Sequence, residues 1–150
     1  MQQLRRTCGV LLALVLVASA SLAADFNRVV IVSGGARHAF AVELAISEEQ
    51  HQRGLMFREQ MADDAGMLFL FRGRTERAFW MKNTLIPLDM LFIDDGGRIM
   101  KVHHSAVPGS LEAISSDHPV VAVLEINGGL SRRLGIKAGD IVQHPALQGR

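Results

Sequence analysis

Asp94-Asp95-Gly96-Gly97 restricts this chain more than any other stretch. It separates the apolar run Leu88–Ile93 from Arg98–His103, which can pair back on it. An Asp-Gly pair between such runs supplies the positive φ angles that a tight β-hairpin requires. The same grammar recurs along the chain. Val29–Val32 and Ala39–Ile46 flank Ser33-Gly34-Gly35, and Gly73–Glu76 turns Met67–Phe71 into Ala78–Met81. Val120–Ile126 is apolar except for Glu125 and is broken by Gly128-Gly129, and Lys137-Ala138-Gly139-Asp140 leads into Ile141–His144. Ser47-Glu48-Glu49-Gln50 reads as a capping box opening a helix over 48–58. Ser131–Gly135 suits one or two helical turns, and Val107–Pro119 has no clear period. The expected fold is mainly β: a compact β-sandwich or partly closed barrel of about seven or eight short strands with one or two short α-helices.

The first residues follow a different rule. Arg5 and Arg6 precede the apolar stretch Gly9–Ala20, which is shorter than the roughly 20 residues of a spanning helix. Ser21-Leu22-Ala23 then offers small residues for cleavage, so 1–24 is expected to be a secretory signal peptide. The expected location is periplasmic or secreted, with no membrane insertion after the signal is removed. A single β-rich domain is expected over 25–145 and a tail over 146–150. The one cysteine, Cys8, lies in the segment to be removed, which excludes disulfides and thiol nucleophiles from the mature chain. Losing Arg5 and Arg6 takes the formal charge from +1 to −1, without the basic footprint of a nucleic-acid binder.

Chemistry is sought where polar residues interrupt apolar strands. Residues 79–89 read FWMKNTLIPLD. With Ala78–Asn83 extended, Phe79, Met81 and Asn83 share the core-facing side, with Trp80, Lys82 and Thr84 opposite. Asp89 is then expected to accept from Lys82, Asn83 or Thr84. That leaves two readings, a fastened turn or a polar pocket with Trp80 as its wall. Glu125 shares a face with Val121 and Val123, so a buried Glu125 calls for a cation, with Lys82, Arg53 and Arg58 as candidates. Gly54, inside the expected helix, implies close packing against another backbone. Neither HxH nor HExxH spacing occurs, so no metal site is expected, and the methionines interleave with Leu and Phe as core filler. No cofactor is expected either, since no phosphate-cradling glycine loop is present.

Four segments together resemble the domain-of-unknown-function 192 family, also called uncharacterised protein family 0127. They are RGLMFRE (53–59), GMLFLF (66–71), FWMKNTLIPLDMLFIDDGGRI (79–99) and VLEINGG with LGIKAGD (123–140). The resemblance runs from about Phe40 to Val142. It implies a compact, mainly β domain, often behind a signal peptide, and carries no assigned activity. The family's polar motif positions fall on Arg53, Arg58, Lys82, Asn83, Thr84, Asp89, Glu125 and Asp140. Many members carry prolines and sometimes cysteines in the loop after the hairpin, whereas here it reads HHSAVPGSLEAISSDHP, without cysteine.

The functional expectation is a binding module for a small molecule or envelope component. Its cleft is expected to draw on Arg53, Arg58, Trp80, Lys82, Asn83, Thr84, Asp89 and Glu125. Two alternatives stand beside it: a cell-envelope hydrolase using Asp89 and Glu125 as acid and base, and a structural protein whose polar network only stabilises the fold.

Overall fold

The computed structural model describes residues 26–147, so the expected signal peptide at 1–24 and residues 148–150 lie outside the description. The elements run β1 (Arg28–Ser33), β2 (Ala36–Ala45), α1 (Glu48–Arg53), β3 (Ala65–Thr75), β4 (Ala78–Phe79), β5 (Leu88–Ile93), β6 (Ile99–Ala106), β7 (Ile114–Ser115), β8 (Val120–Asn127), α2 (Leu130–Leu134) and β9 (Ile141–Gln143). A single 3₁₀ turn, Pro145–Leu147, follows, with Leu147 buried in the core. Among the described residues no helix is long and apolar enough to cross a membrane.

Seven strands form one sheet in the order β6-β5-β8-β3-β2-β1-β9, and β4 pairs only with β7. The sheet curls until its edges meet at one end. Arg98 bridges Ile141, Val142 N–H donates to Gly97 O at 2.7 Å, and Ile99 N–H donates to Asp140 O at 2.9 Å. The fold is therefore a curled half-barrel, the second of the two expected architectures. The ninth strand is β7, a short pairing inside the stretch expected to be irregular.

Helix α1 has the expected capping box, with Ser47 and Gln50 each satisfying the other's backbone N–H. It stops at Arg53, five residues earlier than expected. Gly54 caps it at φ 45°, ψ −133°, a region closed to residues with a Cβ. A Cβ there would also lie 3.2 Å from the Phe69 ring. The glycine thus ends the helix and lets it approach β3. The helix belongs to the crossover that makes β2 and β3 parallel neighbours, the one parallel pairing among the described strands.

Two cores result, one on each face of the sheet. The inner core holds Val29, Ile31, Phe40, Leu68, Leu91 and Leu124, enclosed by the curl. The outer core holds Leu55, Phe69, Met81, Met90, Phe92 and Val123, with Met61, Phe79 and Met100 packed against it. Its cover is irregular: α1, the loops at 54–62 and 80–87, and the small β4-β7 sheet. The buried methionines fill this less regular space, as flexible thioethers do.

Candidate functional site

The strand at 78–83 ends sooner than expected. Phe79 and Met81 turn inward, and Met81 is fully buried. Asn83 then takes the left-handed conformation, φ 54°, which breaks the alternation. Asn83 is consequently exposed and Thr84 buried, the reverse of the expected facing. The turn is fastened by backbone. Thr84 N–H donates to Met81 O at 3.0 Å, and Gly109 N–H donates to both Met81 O and Thr84 O. The Thr84 hydroxyl donates to Lys82 O at 3.2 Å. Phe57, itself at φ 63°, donates its N–H to Asn83 O at 2.8 Å. Two non-glycine residues in this region, one of them aromatic, are uncommon and mark a conformation held by its surroundings.

This turn forms one wall of a cavity of about 630 Å³ at the mouth of the outer core. Trp80, Lys82 and Asn83 face it from the turn, His51 and Gln52 from α1, and Arg77 from the segment before β4. Two cations lie over aromatic rings there: the Arg77 guanidinium is 4.3 Å from the Phe71 centroid and Lys82 Nζ is 5.1 Å from that of Trp80. Neither cation has a carboxylate partner among the described residues, and Arg77 Nε is buried without a hydrogen bond. Glu48 and Glu76, both exposed, line the cavity as well. His51 Nε2 sits 3.0 Å from Ala45 O and 3.1 Å from Leu70 O. Two carbonyls require the proton on Nε2, which leaves Nδ1 as the acceptor of the neutral ring.

The remaining expected site residues are elsewhere. Asp89 does not tie the turn. Its Oδ1 accepts from the N–H groups of Ser105 (2.7 Å) and Gly129 (2.8 Å), and its Oδ2 from Ser131 N–H (2.8 Å) and the Ser131 hydroxyl (2.5 Å). Because the Ser131 proton goes to Asp89, His104 Nδ1 must donate to Ser131 Oγ, at 2.8 Å. Burial pushes the Asp89 pKa up, but the hydrogen bonds outweigh it and hold the carboxyl below its usual value.

Glu125 is flanked in register by Met67 and Met90, on the outer-core face, and has no hydrogen bond or ion pair among the described residues. None of its expected cations reaches it. Burial alone raises its pKa to about 8. Asp89 is in register with Ile126, on the inner face, so the two carboxyls are separated by the sheet. They do not form the acid/base pair of the hydrolase reading. Arg58 forms a two-pronged ion pair with Glu43, both contacts 2.6 Å, and this hydrogen-bonded pairing holds the Glu43 pKa down. Arg53 is exposed, without a side-chain partner among the described residues.

The family model for DUF192, described as Uncharacterized ACR, matches residues 29–144. The chain belongs to the DUF192 family. Two solved structures share the fold. A protein from Sinorhizobium meliloti 1021, described as a candidate transcription regulator, is 46% identical with a TM-score of 0.78, covering 79% of this chain and 93% of its own. A protein of unknown function from Novosphingobium aromaticivorans DSM 12444 is 43% identical with a TM-score of 0.76, covering 77% and 83%. No curated protein matches the chain.

Within this DUF192 domain the cleft therefore combines three expected residues, Trp80, Lys82 and Asn83, with two the sequence did not single out, His51 and Arg77. His51 looks like an ordinary surface position of α1, and Arg77 like a turn cation. Their place in the cleft comes from the packing of α1 and β3, which sets both against Phe71. Among the described residues no group of three or more His, Cys, Asp or Glu is arranged to hold a metal ion.

Proposed function

We propose that this DUF192 protein is an exported binding module whose ligand is a small organic anion held in the Trp80–Arg77 cleft. The observation that carries the reading is the pair of cations without carboxylate partners among the described residues, each held over an aromatic ring on one concave surface. Arg77, half-buried, receives the anion. Lys82 strengthens the attraction, Trp80 covers an apolar part, and the Asn83 side-chain NH₂ donates to the anion. Cavities of this size with a few convergent polar groups are common ligand sites. The basic, apolar, small-residue order of 1–24 supports export.

The chain has one tryptophan and no tyrosine, so Trp80 reports on the cleft without interference. The purified protein is titrated with carboxylates, inorganic phosphate, sugars and nucleotides while Trp80 emission is followed. Duplex DNA is included because the S. meliloti relative is described as a regulator. A saturable change with a carboxylate is expected, weakened about tenfold in Lys82→Ala. Silence across the panel, or unchanged binding in both Lys82→Ala and Arg77→Ala, overturns the reading. The structural alternative keeps one well-supported element, since the Asp89 carboxylate is wholly occupied by internal donors.

A further inference from the structure

We propose that the anion is the head of a single-chain amphiphile, a fatty-acid-like monocarboxylate whose hydrocarbon tail runs out of the cleft along a second groove. The proposal rests on the anion reading above and adds the class of ligand. Its first support is continuity. A cavity of about 590 Å³ adjoins the cleft and shares Lys82 and Asn83 with it. Those two residues form a saddle between a cationic, aromatic chamber and a groove walled by Leu85, Pro108 and Leu111.

The second support is the chemistry of the groove. Leu85 is 53% exposed and Leu111 67% exposed, and they line one concavity together with Pro108. The hydroxyl of Thr84 is turned back to Lys82 O, and Gly109 N–H is spent on Met81 O and Thr84 O. Little in the groove beyond the saddle asks for a polar ligand. Scattered exposed leucines need no explanation, but a contiguous apolar groove opening from a charged chamber does.

Charge narrows the class. Arg77 and Lys82 call for an anion, while Glu48 and Glu76, which also line the cavity, oppose a second and third negative charge. A monocarboxylate meets both conditions better than phosphate or a tricarboxylate. The saddle is also held in place. Phe57 and Asn83 take positive φ angles and are joined by a hydrogen bond of 2.8 Å. Left-handed strain in non-glycine residues gathers where a surface has to be presented in one shape.

The test is a chain-length series from hexanoate to dodecanoate, below micelle concentrations, read by Trp80 emission and calorimetry. In a groove open on one side each methylene is expected to strengthen binding about twofold, so Kd falls on the order of 50-fold across the series. The double variant Leu85→Asn, Leu111→Asn, which adds no charge, is expected to lose at least about tenfold toward dodecanoate and to keep the hexanoate affinity. Retained hexanoate binding shows that this variant is folded. Equal Kd values from hexanoate to dodecanoate overturn the amphiphile proposal alone and leave the anion reading standing. No response to any carboxylate, with phosphate and nucleotides silent as well, overturns both. Anionic vesicles form the last arm: sedimentation with them, dependent on Leu85 and Leu111, together with no binding of monomeric dodecanoate, overturns the free amphiphile in favour of a bilayer surface.

Discussion

Asp89 and Glu125 stand on neighbouring strands, β5 and β8, and both are buried, yet they are opposite kinds of acid. Asp89 faces the inner side where the chain enters α2, and three backbone amides and a hydroxyl converge on it. Glu125 faces the outer side between two methionines, whose thioethers offer no proton. One carboxyl is held ionised by donors and the other is driven neutral by their absence. Burial fixes only how much the environment matters. Which groups were brought along fixes the sign. Asp89 is buried together with its partners, whereas Glu125 is buried among apolar neighbours with none among the described residues.

The comparison breaks most visibly at Asp89. Asp89→Asn puts an amide NH₂ among donors and strands several of them. Buried donors left without an acceptor cost about 1–3 kcal/mol each, so a loss of about 3–5 kcal/mol is expected. The pH dependence has a definite sign. The folded pKa of Asp89 is lowered, so its contribution is complete above the unfolded value of 3.8 and is lost as pH falls through the folded one. Thermal melts between pH 7 and pH 2 should show a steep acid limb in the natural chain and a shallower one in Asp89→Asn. An Asp89→Asn protein that melts within a degree or two of the natural one removes the inner anchor from this account.

Glu125 predicts the reverse limb and a smaller change. Its folded pKa is raised from 4.5 to about 8, so the stability linked to its proton is complete below the unfolded value and is lost as pH rises through about 8. The natural chain should therefore melt lower at pH 9 than at pH 5. Glu125→Met matches its neighbours, removes the ionisation, and should gain on the order of 1–3 kcal/mol at neutral to alkaline pH. An alkaline limb unchanged by the substitution would mean that Glu125 has a partner after all.

The legible part of the fold is the part decided locally. Leu88–Ile93 is a strand with the bounds read from its turn residues, the Ser47 box starts α1, and Gly135 ends α2. The errors lie where distant packing decides. Gly54 reads as a helix interior position until Phe69 is placed beside it, and Asn83 as an extended residue until Phe57 and Gly109 pin the turn. The site divides in the same way. Trp80, Lys82 and Asn83 are close in sequence and stay together, with Thr84 beside the adjoining groove. Asp89 and Glu125 lie on opposite faces, a relation set by the register of β5 on β8. His51 and Arg77 carried no local signal, because their contacts with Phe71 appear only when α1 and β3 are packed.

The smallest expected effect sharpens the comparison within the outer face itself. Glu43, Met67, Glu125 and Met90 form one row across β2, β3, β8 and β5. Glu43, at the open end, is paired by Arg58, while Glu125, further in, has no cation among the described residues. A half-exposed pair of this kind contributes less than about 1 kcal/mol and weakens with salt. Arg58→Ala should therefore lower the melting temperature by only a few degrees, with the difference shrinking from low to high ionic strength, and should leave the alkaline limb of Glu125 in place. A salt-independent loss as large as that of Asp89→Asn would show that the pair anchors the outer face as firmly as Asp89 anchors the inner one. If the small value holds, the outer face owes its stability chiefly to apolar packing rather than to this ion pair.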